Sequence, residues 1–187
     1  MENAILGDHF GAARLLLQHT DADVNDSEFY IRNDYKVSRG HALHYAAIKG
    51  RFVLLKFLIG LNGVDVNLAN DMSGETALHM SARRGHLEIV NYLLSLPNLD
   101  RNATCAMHRT ALHVALWHDQ LEVAECLLAA RVDPSRVDYR GETPLHIAVQ
   151  TCDLRIIRLV KAAYPAACSI QNILGVTPFQ YLTIRKI

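Results

Sequence analysis

No stretch of this sequence is long and apolar enough to cross a bilayer. The richest run, FVLLKFLIGL from Phe52, covers ten residues and contains Lys56, where about 20 are needed. There is no surplus of either charge: nineteen Lys and Arg balance nineteen Asp and Glu, so no global field draws the chain to nucleic acid or to an anionic membrane. The four cysteines, Cys105, Cys126, Cys152 and Cys168, form no CxxC pair, and MENAILGDHF is not a cationic, apolar signal peptide. These absences lead to an expectation of a soluble protein with reduced thiols, located inside the cell in the cytoplasm or nucleus. Catalytic signatures are missing as well. The chain has no GxSxG, no GxGxxG, no GxxxxGK followed by Ser or Thr, and no cysteine in a nucleophile signature. His41 with His44, and His108, His113 and His118, lie close in sequence, but zinc needs about four converging ligands at a recognisable spacing. The expectation is a protein that is not an enzyme, with no metal, no cofactor and no small-molecule substrate.

Half of the residues are hydrophobic, which is enough to build a core and far from the composition of disordered chains. The stretch GETPLHIAVQ at Gly141 has copies. HALHYAA at His41, TALHMSA at Thr76, TALHVAL at Thr110 and TPLHIAV at Thr143 place His44, His79, His113 and His146 at steps of 35, 34 and 33 residues. A further near-copy, TPFQYLT at Thr177, puts Gln180 in the histidine slot 34 residues on. An arrangement recurring at one period is an array, whereas an active site is normally built once.

Aligned on these histidines, each unit reads as a turn, a short helix, a break, a second helix and a hairpin-like connection. A Thr such as Thr76 can cap the first helix, because its hydroxyl accepts a backbone N–H that lacks a helical partner. Pro144 and Pro178 follow the Thr in their units, at the first helical position, where a missing N–H costs nothing. Gly50 and Gly85 suit the left-handed residue that ends a helix; Asp119 tolerates that conformation moderately and Cys152 poorly. Second helices carry apolar pairs at helical spacing, among them Leu54, Leu55, Leu58 and Ile59, then Ile89, Val90, Leu93 and Leu94, then Val123, Leu127 and Leu128. Neither helix of a unit can bury that face alone, so the units must stack and share one elongated core.

The pattern G-x-T-P-L-H-x-A, followed by G-H-x-x-I-V-x-x-L-L and D-V-N, resembles the ankyrin repeat. GETPLHIA at Gly141 and GETALHMSARRGHLEIVNYLL at Gly74 carry the resemblance, which covers nearly the whole chain. It implies an all-α fold, an ankyrin-repeat solenoid of stacked helix-turn-helix units with hairpin-like connections. Residues 1–25 form a degenerate N-terminal cap repeat and 26–35 a long inserted loop. Full repeats follow over 36–70, 71–104, 105–137 and 138–171, with a truncated last repeat over 172–187. The resemblance also implies that His44, Thr76, His79, Thr110, His113, Thr143 and His146 are architectural, the Thr and His bonding to backbone and to each other. The inserted loop, with Phe29, Tyr30 and Tyr35, is read either as a contact for a partner or as a disordered insertion.

In ankyrin arrays, partners bind the hairpin tips and the outer side of the first helices. Those slots hold Ile48 and Lys49 in the first full unit, and Met72, Ser73, Glu75, Arg83 and Arg84 in the second. The third gives Met107, Arg109, Trp117 and His118, and the fourth gives Tyr139, Arg140, Glu142 and Gln150. Trp117 is the only tryptophan and has the character of a binding hot spot; the alternative is that it leans on its neighbours and fills a gap. Met72 and Met107 add adaptable apolar surface, and Arg83, Arg84, Arg109 and Arg140 together suit an acidic partner. The expectation is a protein-binding module, monomeric by itself, with no nucleic-acid or membrane partner. The closing GVTPFQYLT is similar to the last repeats of the inhibitor-of-NF-κB group, which implies a second reading as an inhibitor of Rel-type transcription factors. No phosphodegron-like serine pair, acidic tail or PEST-like segment accompanies it, so such an inhibitor would be constitutive, of a kind a virus or pathogen could carry. A targeting or scaffold domain of a larger protein is the third reading.

Overall fold

A computed structural model describes residues 29–33, 36–40, 42–61, 64–151 and 153–184. Among them are nine α-helices, eight of them in pairs: α1 Ala42–Ile48 with α2 Phe52–Ile59, α3 Ala77–Arg84 with α4 Leu87–Leu94, α5 Ala111–Trp117 with α6 Leu121–Ala129, and α7 Pro144–Thr151 with α8 Leu154–Ala163. A 3₁₀ turn, Pro165–Ser169, follows α8, and α9 Gln180–Ile184 opens one more unit. First helices stack on first helices, from α1 through α3, α5 and α7 to α9, and second helices stack beside them. This is the solenoid expected from the repeat.

Small residues allow the close stacking. Ala46 and Ala47 on α1, Ala77 and Ala82 on α3, Ala111 and Ala115 on α5 and Ala148 on α7 are all buried, so neighbouring helix backbones approach without a side chain between them. Larger residues then fill the layer between the two stacks. Leu55, Leu58, Ile89, Leu93 and Leu127 come from the second helices and Leu78, Leu112, Leu116 and Leu145 from the first. Each such side chain contributes roughly 1.5–3 kcal/mol when fully buried. The paired apolar positions divide as a helical face should: Leu54, Leu55, Leu58, Ile89, Val90, Leu93, Val123 and Leu127 are buried, while Ile59, Leu94 and Leu128 flank them half-buried.

The repeated Thr and His form one device. In α3 the His79 Nδ1 accepts the backbone N–H of Thr76 at 3.3 Å and lies 2.9 Å from its hydroxyl, while Nε2 faces the Arg109 carbonyl at 2.9 Å. His113 repeats this with Thr110 and the Glu142 carbonyl at 3.2 Å, and His146 with Thr143 and the Val176 carbonyl at 3.1 Å. Each ring therefore closes the N-terminus of its own helix and holds the residue that precedes the next helix's Thr. His44 reaches the Leu68 carbonyl at 2.8 Å. Gln180 keeps half of the device, its Oε1 accepting the Thr177 N–H at 2.7 Å. Asn67 of the D-V-N ending and Asn102 of the corresponding D-R-N make a further link between units: Asn67 accepts from Asp100 N at 2.7 Å, and Asn102 from Asp133 N at 2.8 Å.

Gly50 and Gly85 adopt φ 70° and 72°, and Asp119 takes the same left-handed turn at φ 58°. Cys152, Tyr35 and the expected cap at 1–25 lie outside the described residues. Two local readings need correction. Pro178 sits in a turn just before α9 rather than at its first position, because Gln180, Tyr181 and Leu182 donate to carbonyls only three residues back. The segment read as an inserted loop, together with the start of the unit after it, contains an antiparallel hairpin, β1 Phe29–Asn33 and β2 Lys36–Gly40, with Tyr30 opposite Arg39 and Asn33 opposite Lys36. Its backbone packs beside α1.

The buried rings make the fold sensitive to acid. Burial lowers the affinity of His79, His113 and His146 for a proton, and a protonated Nδ1 would face the Thr N–H with a second donor. In the unfolded chain a histidine protonates near pH 6.5, but folded His113 resists until about pH 4. The unfolded state thus binds the proton first, so this stability is complete above about pH 6.5 and is lost as pH falls from there toward 4. For His113 alone the loss is roughly 3 kcal/mol. Urea unfolding at stepped pH should show this decline. A His113→Gln variant should start about 1–3 kcal/mol less stable at neutral pH, because it lacks the ring's bridge, and should show a shallower slope in acid.

Candidate functional site

Between each second helix and the following first helix the chain makes a tight tip. Three tips begin with an Asn or Asp whose side chain folds back on the turn. Asn70 Oδ1 accepts from Ser73 N at 2.7 Å, Asp138 Oδ1 from Arg140 N at 2.9 Å, and Asn172 Oδ1 from Leu174 N at 3.0 Å. Gly74, Gly141 and Gly175 supply the left-handed residue that reverses the chain. The tip between α4 and α5 departs twice: Cys105 replaces the Asn or Asp, and His108 occupies the left-handed position at φ 56°. Successive tips are joined through their backbones, Ala106 N to Ser73 O at 2.9 Å, Tyr139 N to Met107 O at 3.1 Å and Ile173 N to Arg140 O at 2.9 Å. With the backbone polar groups engaged sideways, the tips present Met72, Met107, Tyr139, Ile173 and Leu174 outward, all exposed. Ile173 and Leu174 were not among the expected contacts, although aligning NILG with DYRG places them in the same slots as Tyr139 and Arg140.

Below the tips, the residue before each Thr lies beside the last turn of the same helix. Glu75 is ion-paired with Arg83. In the next unit the Arg109 guanidinium lies 4.4 Å from the centre of the Trp117 ring, and its Nε donates to Asp138 Oδ2 at 3.3 Å. Trp117 thus leans on a neighbour and still leaves 43% of its surface exposed. Met72, Met107, Val114, Trp117 and His118 join Arg83 and Arg109 around a cleft of about 200 Å³. Burial lowers the His118 proton affinity, and Arg83 lowers it further. In the fourth unit Glu142 accepts from the Tyr181 hydroxyl of α9, which also takes a bond from Asn172 Nδ2 at 3.0 Å. Burial and that carboxylate push the Tyr181 hydroxyl up to about 12. Arg140 donates Nε to the Tyr139 hydroxyl at 2.7 Å.

Comparison with known proteins now decides the family. A model of ankyrin repeats (3 copies) matches residues 43–138, and a second, of ankyrin repeats (many copies), matches 121–160. The chain belongs to the ankyrin-repeat family. Among curated proteins it is similar to NF-kappa-B inhibitor alpha of Gallus gallus, 46% identical over 54 residues, which are 29% of this chain and 17% of that protein. The human protein of the same name is 48% identical over 44 residues, 24% of this chain and 14% of its own length. The nuclear factor NF-kappa-B p105 subunit of Mus musculus is 47% identical over 58 residues, 29% of this chain and 6% of that protein. The matched region therefore spans less than a fifth of the length of each of these relatives.

Of the positions assigned to the ankyrin groove, Lys49, Met72, Arg84, Met107, Trp117, His118, Tyr139 and Arg140 are exposed, and Ser73, Arg83, Arg109 and Gln150 are half-buried. Three are buried and are corrected here. Ile48 is packed into the core at the end of α1, and its carbonyl is capped by His86 Nε2 at 3.2 Å. Glu75 and Glu142 are turned inward by Arg83 and by Tyr181, so they shape the groove from beneath. Sequence spacing places a residue at a tip but does not show which partner pulls its side chain down. Among the described residues no three His, Cys, Asp or Glu converge as a metal site would require, and no helix is long and apolar enough to cross a membrane.

The left-handed slot of the tips gives a test with opposite signs at equivalent positions. A Cβ on Gly74 would sit 2.9 Å from Ala106 N, in the tip-to-tip hydrogen bond. Gly74→Ala should therefore destabilise the array by roughly 2 kcal/mol. At His108 the left-handed backbone costs about 1–2 kcal/mol, and glycine returns about 0.5–1 as chain entropy. His108→Gly should thus stabilise the array slightly, raising the urea midpoint with an unchanged slope.

Proposed function

We propose that this chain is a protein-docking module whose contact surface is the row of hairpin tips with the adjoining ends of the first helices. The observation that carries this reading is the continuous line of exposed Met72, Met107, Tyr139, Ile173 and Leu174 on tips whose backbones are hydrogen-bonded to one another. Exposed apolar side chains in a row are what a partner can cover, and a stitched backbone lets them bind with little ordering cost. The partner in this reading is a Rel-type transcription factor. Support comes from the similarity to proteins named NF-kappa-B inhibitor alpha and NF-kappa-B p105 subunit, and from the GVTPFQYLT ending. The chain would act as a single copy, without catalysis, in the cytoplasm or nucleus.

The test is a binding titration of the purified chain against a Rel-homology dimer, beside a Trp117→Ala, Tyr139→Ala variant that melts like the parent. Truncating two hot spots should weaken binding by about 30-fold or more. Equal affinity for parent and variant would place the working surface elsewhere. Suppose the parent ignores the Rel-homology dimer while capture from cell extract yields another protein that the variant loses. The groove would then stand and the choice of partner would fall.

A further inference from the structure

The cleft between the tips that precede α3 and α5 has a composition that goes beyond a general docking surface. At about 200 Å³ it is smaller than the roughly 300–1,000 Å³ of small-molecule pockets and has the size of one amino-acid side chain. Its apolar walls are Met72, Met107 and Trp117, all substantially exposed. Its polar wall is cationic and held in place from behind. Arg109 gives its Nε to the buried Asp138 and its face to Trp117, and none of the hydrogen bonds seen among the described residues uses its terminal N–H groups. Arg83 is anchored by Glu75 while its buried Nε finds no acceptor. At the mouth lies His118, whose proton affinity is lowered by burial and then by the nearby Arg83 guanidinium. A fixed guanidinium with spare donors in a partly dry cleft matches the planar, two-oxygen geometry of a carboxylate.

We propose that this cleft is a socket for an acidic segment of the partner: an Asp or Glu pairs with Arg109 and Arg83, and a bulky apolar neighbour lies on Met72, Met107 and Trp117. This rests on the docking reading above and names the chemistry that the surface selects.

Random peptides displayed on phage and selected on the full chain supply the probe. An enriched peptide is then titrated beside its Asn or Gln counterpart, reading the emission of Trp117, the chain's one tryptophan. Selected sequences should pair Asp or Glu with Leu, Met, Phe or Trp. The acidic peptide should shift the emission saturably, and its amide counterpart should bind about tenfold or more weakly. Arg109→Lys keeps the charge on Asp138 but loses the planar fork, and should weaken binding about tenfold; the exposed Arg84→Gln should weaken it about threefold and reduce its salt dependence. Selection of basic or uncharged peptides, or of none, overturns the proposal, as does equal binding of the acid and amide forms. If that happens while Trp117→Ala, Tyr139→Ala still loses its protein partner, the acidic socket fails and the docking surface survives. If peptides bind as described while that variant keeps every partner, the docking reading fails.

Discussion

Each of His79, His113 and His146 has one hydrogen-bond donor and one acceptor only while it is neutral, and the turn around it uses both. Nδ1 must accept from the Thr that starts the helix, and Nε2–H must donate to a carbonyl about thirty residues further on. Without the first bond the helix start has a buried N–H to satisfy; without the second, two units lose their register. Both errors carry desolvation costs of about 1–3 kcal/mol for each orphaned group. Repetition of this requirement explains why the histidine recurs with the array's period and needs no catalytic reason.

The carbonyls held by these rings belong to Arg109, Glu142 and Val176, which end the tips. The clamp therefore reaches the functional surface. It fixes where each tip leaves the stack, the tip backbones then bond to one another, and the side chains at their summits are relieved of any structural duty. Met72, Met107, Tyr139 and Ile173 can differ from unit to unit because the backbone below them does not. The same logic governs the layer beneath, where one slot holds Glu75 in one unit, Arg109 in the next and Glu142 in the third. Two carboxylates turn inward to a partner, while Arg109 lies between Asp138 and Trp117 and faces the cleft.

Much of this was legible in the sequence because it depends on contacts that are near in sequence or repeated at a fixed step. The Thr and His spacing, the left-handed slots at Gly50, Gly85 and Asp119, and the apolar pairs of the second helices are of that kind. The tips at Met72, Met107 and Tyr139 followed from alignment alone. Burial of Glu75 and Glu142 was not legible, because it depends on Arg83 at the far end of the same helix and on Tyr181 in another unit. The Arg109 to Asp138 pair spans 29 residues and joins two different slots of the repeat, so no periodic pattern announces it. Ile173 and Leu174 become legible only when NILG is set against DYRG, because the unit they open carries Phe-Gln in place of Leu-His. The β1 and β2 hairpin was hidden because FYIRN and KVSRG have no counterpart in the other units.

The central claim is that three neutral imidazoles of one tautomer hold the units together and present the tips. Long-range proton–nitrogen correlation spectra of the histidine rings observe this directly, by reporting which nitrogen carries hydrogen and at what pH the ring charges. The account predicts that His79, His113 and His146 each show protonated Nε2 and bare Nδ1, unchanged as pH is lowered from neutral through the ordinary histidine range until the fold itself gives way. Mixed tautomers, or titration of these rings near pH 6.5 in a chain that stays folded, would contradict it.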